Sequence, residues 1–202
     1  LDPEQHLTSE EEDQLYTSLH LGIFKLHHLV DNLLESANIE ARRFRISPRI
    51  TDLSLVISEA VQTMRPLLVK YDHGITTEMP LDLPSVYADR KRIVQVLVNL
   101  ISNSNKYSPS QEEIRVEVKV EDDAVNVSVL DRGPGIPPDQ REGLFERFVY
   151  PSQESEISQS GAGLGLSVVK AIIEAHGGAV GVKDRAGGGS EFWFSLPDRS
   201  ED

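Results

Sequence analysis

The stretch Glu113–Asp131 reads EIRVEVKVEDDAVNVSVLD, and its alternation decides the fold. Ile114, Val116, Val118 and Val120 alternate with charged residues, then Val125, Val127 and Val129 alternate with Asn126 and Ser128. Two runs of period two on either side of EDDA predict an antiparallel hairpin with one buried face. Its second strand ends at Asp131 and runs into RGPGIPP, a glycine- and proline-rich turn. Upstream, SVYADRKRIVQVLVNLISNSNKYSP predicts a helix over 89–106, with Ile93, Val96, Leu97 and Leu100 on its apolar face. Before it, HGITTEMP reads as a strand. RFRISPRITDLS reads as a short strand and turn leading into a helix. That helix is capped by Thr51 or Asp52, carries Leu55, Val56, Ala60, Val61 and Met64, and reaches Tyr71 with a bend at Pro66. Downstream come a short helix near PDQREGLFERF and a polar loop over 150–160. A helix then opens at Gly165 and ends at Gly177–Gly178, and the strands AVGVKD and SEFWFSLP follow, joined by RAGGG. Helices interleaved with antiparallel strands predict an α+β two-layer sandwich, with helices on one face of a sheet.

The N-terminal part has a different pattern. A single long helix is expected over 10–41, capped by Thr8 or Ser9, with Glu11 and Glu12 in its first turn. Leu15, Leu19, Gly22, Leu26, Leu29 and Leu33 form one stripe, and Ile23, Val30, Leu34 and Ala37 form another beside it. So wide an apolar surface suits a helix bundle. With little to bury against nearby, this helix calls for a partner helix from another chain or from sequence not present here. The expected division is a helical part over 1–45 and an α+β domain over 46–202.

Composition narrows the function. The 202 residues carry a net charge of −13, which argues against nucleic-acid partners and anionic membranes. A local site for an anionic nucleotide is not excluded by that charge. There is no cysteine, so neither a disulfide framework nor a thiolate zinc site exists, and six histidines are too scattered for a metal cluster. No apolar run is long enough to span a bilayer, and LDPEQHLTSEEED is not a signal peptide. A cytoplasmic location is expected, with membrane anchoring of a longer parent protein left open.

Three segments carry candidate chemistry. In NLISNSNKY, Asn99 and Asn103 share a helix face and Lys106 lies three residues further on. An amide oxygen suits magnesium, and a lysine neutralises phosphate oxygens. The alternative is a helix fraying into a turn. In DRGPGIPP, Asp131 ends a strand where its carboxylate can accept from a ligand amino group. Gly133 and Gly135 let a flat ring approach the backbone and Ile136 covers it, or the segment is only a turn. In GAGLGL, Gly161, Gly163 and Gly165 precede a helix, a pattern that offers backbone N–H groups to phosphate, or else a simple loop. It matches neither the dinucleotide-binding fingerprint nor the Walker loop.

The order and spacing of these segments resemble the ATP-binding domain of sensor histidine kinases, in the superfamily shared with DNA gyrase, Hsp90 and MutL. NLISNSNKY looks like the N box, DRGPGIPP the first glycine box, LFERF the F box and GAGLGL the second glycine box, with GGGSEFWFSLP similar to the last strand. The resemblance covers about 46–197 and implies a Bergerat ATP-binding fold with ATP and Mg2+ as cofactors. It implies that Asn103 binds the metal, Lys106 contacts the phosphates and Tyr107 lines the site. Asp131 would bind the adenine amino group, with Gly133, Gly135 and Ile136 shaping the pocket. Gly161, Ala162, Gly163, Leu164, Gly165 and Leu166 would cradle the phosphates, below a lid over 150–160. The long helix resembles the second helix of the dimerisation and phosphotransfer domain. That implies a homodimer and a response-regulator receiver domain as partner.

Asn99 separates a kinase from an ATPase. Gyrase-, Hsp90- and MutL-type relatives carry a water-activating glutamate there, whereas an amide has no useful basicity. Asn99, Asn103 and Lys106 are therefore the expected catalytic set, for transfer of the γ-phosphate to an imidazole. The family's acceptor box has no match. His20, His27 and His28 read as ordinary helix-face residues, and the acceptor is expected upstream, so the chain alone should not phosphorylate itself. Tyr150 and Ala162 also depart from the family pattern, with Arg147 as a substitute contact to the γ-phosphate. A nucleotide-binding regulatory module without turnover, and a serine kinase of the anti-sigma-factor type, stand as alternatives.

Overall fold

A computed structural model describes residues 8–121, 124–148 and 163–197. The elements are α1 (Ser9–Glu40), β1 (Arg49–Thr51), α2 (Leu53–Lys70), β2 (Gly74–Glu78), β3 (Val86–Ala88), α3 (Arg90–Tyr107), β4 (Glu113–Glu121), β5 (Ala124–Leu130), α4 (Pro138–Arg141), α5 (Gly165–Ala175), β6 (Val180–Asp184) and β7 (Ser190–Pro197). The hairpin forms as its alternation requires, with Val116 opposite Val129 and Val118 opposite Val127. β7 pairs with the free edge of β5 and β6 closes the antiparallel run, while β2 joins the other edge parallel to β4. The five-stranded order is β2-β4-β5-β7-β6.

One face of this sheet is apolar and the other charged, and that asymmetry sets the layers. Ile114, Val116, Val127, Val129 and Phe194 are buried beneath α2, α3 and α5, which supply Ile57, Met64, Ile93, Leu97 and Ile172 to the same core. On the other face, Arg115 pairs with Glu78 at 3.1 Å and Lys183 with Glu191 at 3.0 Å, which keeps that surface solvated. The α+β sandwich is the expected one.

Three details differ from expectation. Val86–Ala88 is a strand, pairing antiparallel with β1 as a separate two-stranded sheet. Three residues are too few for a period-two pattern to stand out against the helix that follows. The helix near PDQREGLFERF is confined to Pro138–Arg141. Pro137 and Pro138 preset its entry, but Gly143 and the apolar pair Leu144–Phe145, drawn into the core, favour turns beyond it.

The third concerns α1. Thr8 caps it in a reciprocal box, accepting from the Glu11 N–H while its own N–H donates to Glu11 Oε2 at 2.8 Å. The helix, expected to have little to bury against nearby, docks part of its surface on the α+β domain. Leu21, Asn32 and Ser36 are buried against the α+β domain, while Leu15, Leu19, Leu26, Leu29 and Leu33 on the apolar stripe remain exposed. The docked face is thus a mixed one, with Leu21, Phe24 and Ile39 packed on the core beside Asn32 and Ser36. Gly22 sits on the open face with nothing within 4 Å of an added Cβ. Gly22→Ala should therefore stabilise α1 by about 0.5–1 kcal/mol, read as a higher denaturation midpoint.

Candidate functional site

α3 forms the common wall of the site. Hydrophobic residues on one side of this helix bury it against the sheet, leaving Asn99, Asn103, Lys106 and Tyr107 near its C-terminal half. Asn103 and Lys106 are partly exposed, and the Lys106 ammonium lies 4.9 Å from the centre of the Tyr107 ring.

The two glycine segments both close on α3. A Cβ on Gly133 would stand 3.0 Å from the Tyr107 carbonyl oxygen and 3.1 Å from Asp131 Oδ1. A Cβ on Gly165 would stand 2.9 Å from Asn99 Oδ1. Segments that are 32 residues apart at these glycines (133 and 165) therefore meet the same helix through positions where only hydrogen fits easily. Gly135 adopts a positive φ of 79°, turning the chain after Asp131.

Asp131 is held from several sides. Its Oδ1 accepts from the Gly133 N–H at 2.8 Å and the Ser190 N–H at 3.1 Å. Its backbone carbonyl accepts from Arg185 Nη1 at 3.0 Å. With Oδ1 doubly engaged, Oδ2 is the oxygen left to meet a ligand donor. Burial raises the Asp131 pKa above its usual value, and the Gly133 and Ser190 N–H groups and the Arg185 charge oppose that rise. Ile136 is partly buried, packed against the core beside this turn.

At the opposite end, Gly163 has a φ of 63° and its carbonyl accepts from the Phe148 N–H at 3.1 Å. Leu164 is buried and anchors the start of α5, and Leu166 also packs on the core. Among the described residues no side chain caps the start of α5, at Leu164. Gly161, Ala162 and the loop over 150–160 lie outside the described residues. Among the described residues no group of three or more His, Asp or Glu is placed to hold a metal ion. The donor set near Asn103 fits a magnesium ion carried mainly by ligand phosphates and water, with one amide oxygen from the protein.

The family described as "Histidine kinase-, DNA gyrase B-, and HSP90-like ATPase" matches residues 88–200, more than half of the chain. The chain belongs to this family. Within it, the similarity is to sensor histidine kinases. The sensor protein KdpD of Escherichia coli (strain K12) is 34% identical over 172 residues, covering 85% of this chain and 19% of KdpD. The adaptive-response sensory kinase SasA of Synechococcus sp. (strain JA-3-3Ab) is 33% identical, covering 92% of this chain and 49% of SasA. The structure of full-length ShkA in complex with AMPPNP superposes with a TM-score of 0.74 at 32% identity, covering 96% of this chain and 40% of ShkA. The chain thus spans half or less of each of these relatives.

Sequence reasoning missed several residues that brace this candidate site. Arg185, in the RAGGG turn, and Ser190, at the start of the last strand, carry no site signal in the sequence, although both bind Asp131. Asn32 carries no local signal in the sequence, yet its amide pairs with that of Asn99. The two lie 67 positions apart, so no local periodicity could signal the contact. Arg147, the expected substitute contact to the γ-phosphate, places Nη1 3.4 Å from Glu40 Oε2 of α1.

Proposed function

We propose that this chain binds ATP between α3, the Asp131 turn and the start of α5, and that it is the catalytic part of a histidine kinase. The observation that carries the reading is the convergence of both glycine segments on α3 through Gly133 and Gly165. Asp131 Oδ2 accepts the adenine amino hydrogen, and Gly133, Gly135 and Ile136 give the ring a close, partly apolar seat. Asn103 offers its amide oxygen to magnesium, and Lys106 neutralises phosphate charge. Magnesium held there by Asn103 would supply positive charge to offset that on the phosphates. Gly161, Ala162, Gly163, Leu164, Gly165 and Leu166 carry the phosphate cradle.

In the transfer, a histidine ring nitrogen forms the new N–P bond. The bond from the γ-phosphorus to its bridging oxygen breaks, ADP leaves, and the imidazole gives up its proton. Asn99 does not activate water, because an amide has no useful basicity and both ends of this one are bound to Asn32. In the whole protein we place residues 1–45 in a dimerisation and phosphotransfer domain and 46–202 in the catalytic domain. The exposed stripe of α1 packs in a homodimeric bundle, and a response-regulator receiver domain takes the phosphoryl group. The reaction takes place in the cytoplasm. No described helix is long and apolar enough to cross a membrane.

The test is the intact protein with γ-labelled ATP and magnesium. Acid-labile, base-stable label on histidine is expected, whereas release of labelled phosphate with no labelled histidine contradicts the kinase reading. Acidification provides a further prediction. Ionised Asp131 is the acceptor, so nucleotide affinity falls as the pH drops through its raised pKa, at higher pH than for an ordinary aspartate. The stability of the free protein responds in the opposite sense. The folded state takes up this proton first, so stability from Asp131 increases as the pH falls from its folded toward its unfolded pKa. Titration calorimetry and thermal melts over the same pH series check both.

A further inference from the structure

The face by which α1 meets the nucleotide domain carries Leu21, Phe24 and Ile39 on the core, and among them polar residues one or two turns apart. Lys25 donates to the Tyr71 hydroxyl at 3.0 Å, and Glu35 pairs with Arg92 at 2.8 Å with both side chains largely buried. Between them, Asn32 donates its Nδ2 to Asn99 Oδ1 at 2.9 Å, and Asn99 Nδ2 donates back to Asn32 Oδ1 at 3.3 Å. Both asparagines are buried, at 5% and 2% exposure, so their polar atoms rely on one another and on the adjoining His28 ring. His28 stands one turn before Asn32, with Nε2 3.4 Å from Asn32 Nδ2, and burial lowers its pKa, which favours the neutral ring beside this pair.

Asn99 has a second neighbour. Its Oδ1 lies where a Cβ on Gly165 would be 2.9 Å away, so the same oxygen that α1 holds packs on the first residue of α5. An amide fixed by two hydrogen bonds presents a fixed surface to that backbone. An amide released from α1 is free to change rotamer there.

We propose that Asn32 is a positioning residue for the nucleotide site: through Asn99 it sets the start of α5, so docking of α1 and binding of the nucleotide's terminal phosphates reinforce one another. This rests on the nucleotide reading given above. Coupling of two sites is reciprocal, so the phosphates must tighten α1 by the factor by which α1 tightens the phosphates. A nucleotide lacking the β- and γ-phosphates does not reach the start of α5 and is indifferent to Asn32. The polar character of the seam suits this role, because its groups are readily resolvated when α1 lifts.

The experiment compares magnesium–AMPPNP with AMP on the whole chain. Asn32→Ala is expected to weaken AMPPNP roughly fivefold and to leave AMP unchanged. In the unaltered chain, saturating AMPPNP is expected to slow amide hydrogen exchange over residues 25–36 of α1, whereas AMP is not. The exchange measurement needs no variant, so it decides even if Asn32→Ala folds poorly. Unchanged AMPPNP affinity in a folded Asn32→Ala protein, equal weakening of both nucleotides, or α1 exchange indifferent to AMPPNP would each overturn the proposal while leaving the nucleotide site standing. Failure of the unaltered chain to bind either nucleotide overturns both.

Discussion

Asp131→Asn is expected to reduce ATP affinity by roughly 30- to 700-fold, a loss of about 2–4 kcal/mol. The reason lies in which atoms are already committed. Oδ1 accepts from two backbone N–H groups, at Gly133 and Ser190. An asparagine at this position keeps its oxygen toward those two donors, because the reverse orientation sets amide hydrogens against them. Its NH2 then occupies the place of Oδ2 and faces the adenine amino group, donor against donor. The charge-assisted hydrogen bond is lost and a repulsion replaces it. The fold is spared, because both backbone donors keep a partner. Calorimetry on the variant should thus show a near-native melt and no nucleotide heat. Retention of affinity within threefold would remove Asp131 from the site.

Gly189→Ala is expected to destabilise the protein by about 3 kcal/mol or more and to disable the site with it. Gly189 has a φ of 98°, a conformation that L side chains rarely adopt. The Cβ of an alanine would also overlap the backbone carbonyl of Asp131 and crowd Arg132. That carbonyl is the acceptor for Arg185, and the neighbouring Ser190 N–H is one of the two donors fixing Asp131. Relief of the clash displaces β7 from β5 at Asp131, the residue proposed to meet the adenine. Chemical denaturation should show the lower midpoint. A variant as stable as the parent would mean that the junction of β5 and β7 is loose and Asp131 is not held as described.

Much of this architecture is legible in the sequence because local periodicity and burial coincide. The valines of β4 and β5 alternate because one face of the sheet is buried and the other wet. α3 shows its apolar face because it lies on that sheet. The close backbone approaches at Gly133 and Gly165 are likewise signalled by residue type, since only glycine fits there easily. What the sequence hides is contact between distant segments. Asn32 in a polar helix face looks like any solvated asparagine until Asn99 is brought against it. Arg185 and Ser190 flank a glycine-rich turn and acquire a role only once β7 pairs with β5. The docking of α1 was misjudged for the same reason: apolar stripes advertise burial, whereas a polar seam looks like surface.

The most direct measurement of the central claim is amide NMR of the whole chain during titration with magnesium–AMPPNP. Saturable shifts are predicted to concentrate at Asn103, Lys106, Asp131, Gly133, Gly135 and the start of α5, with the outer face of the sheet around Arg115 and Lys183 unmoved. A folded protein whose spectrum does not change, or whose shifts map to that outer face, contradicts the account.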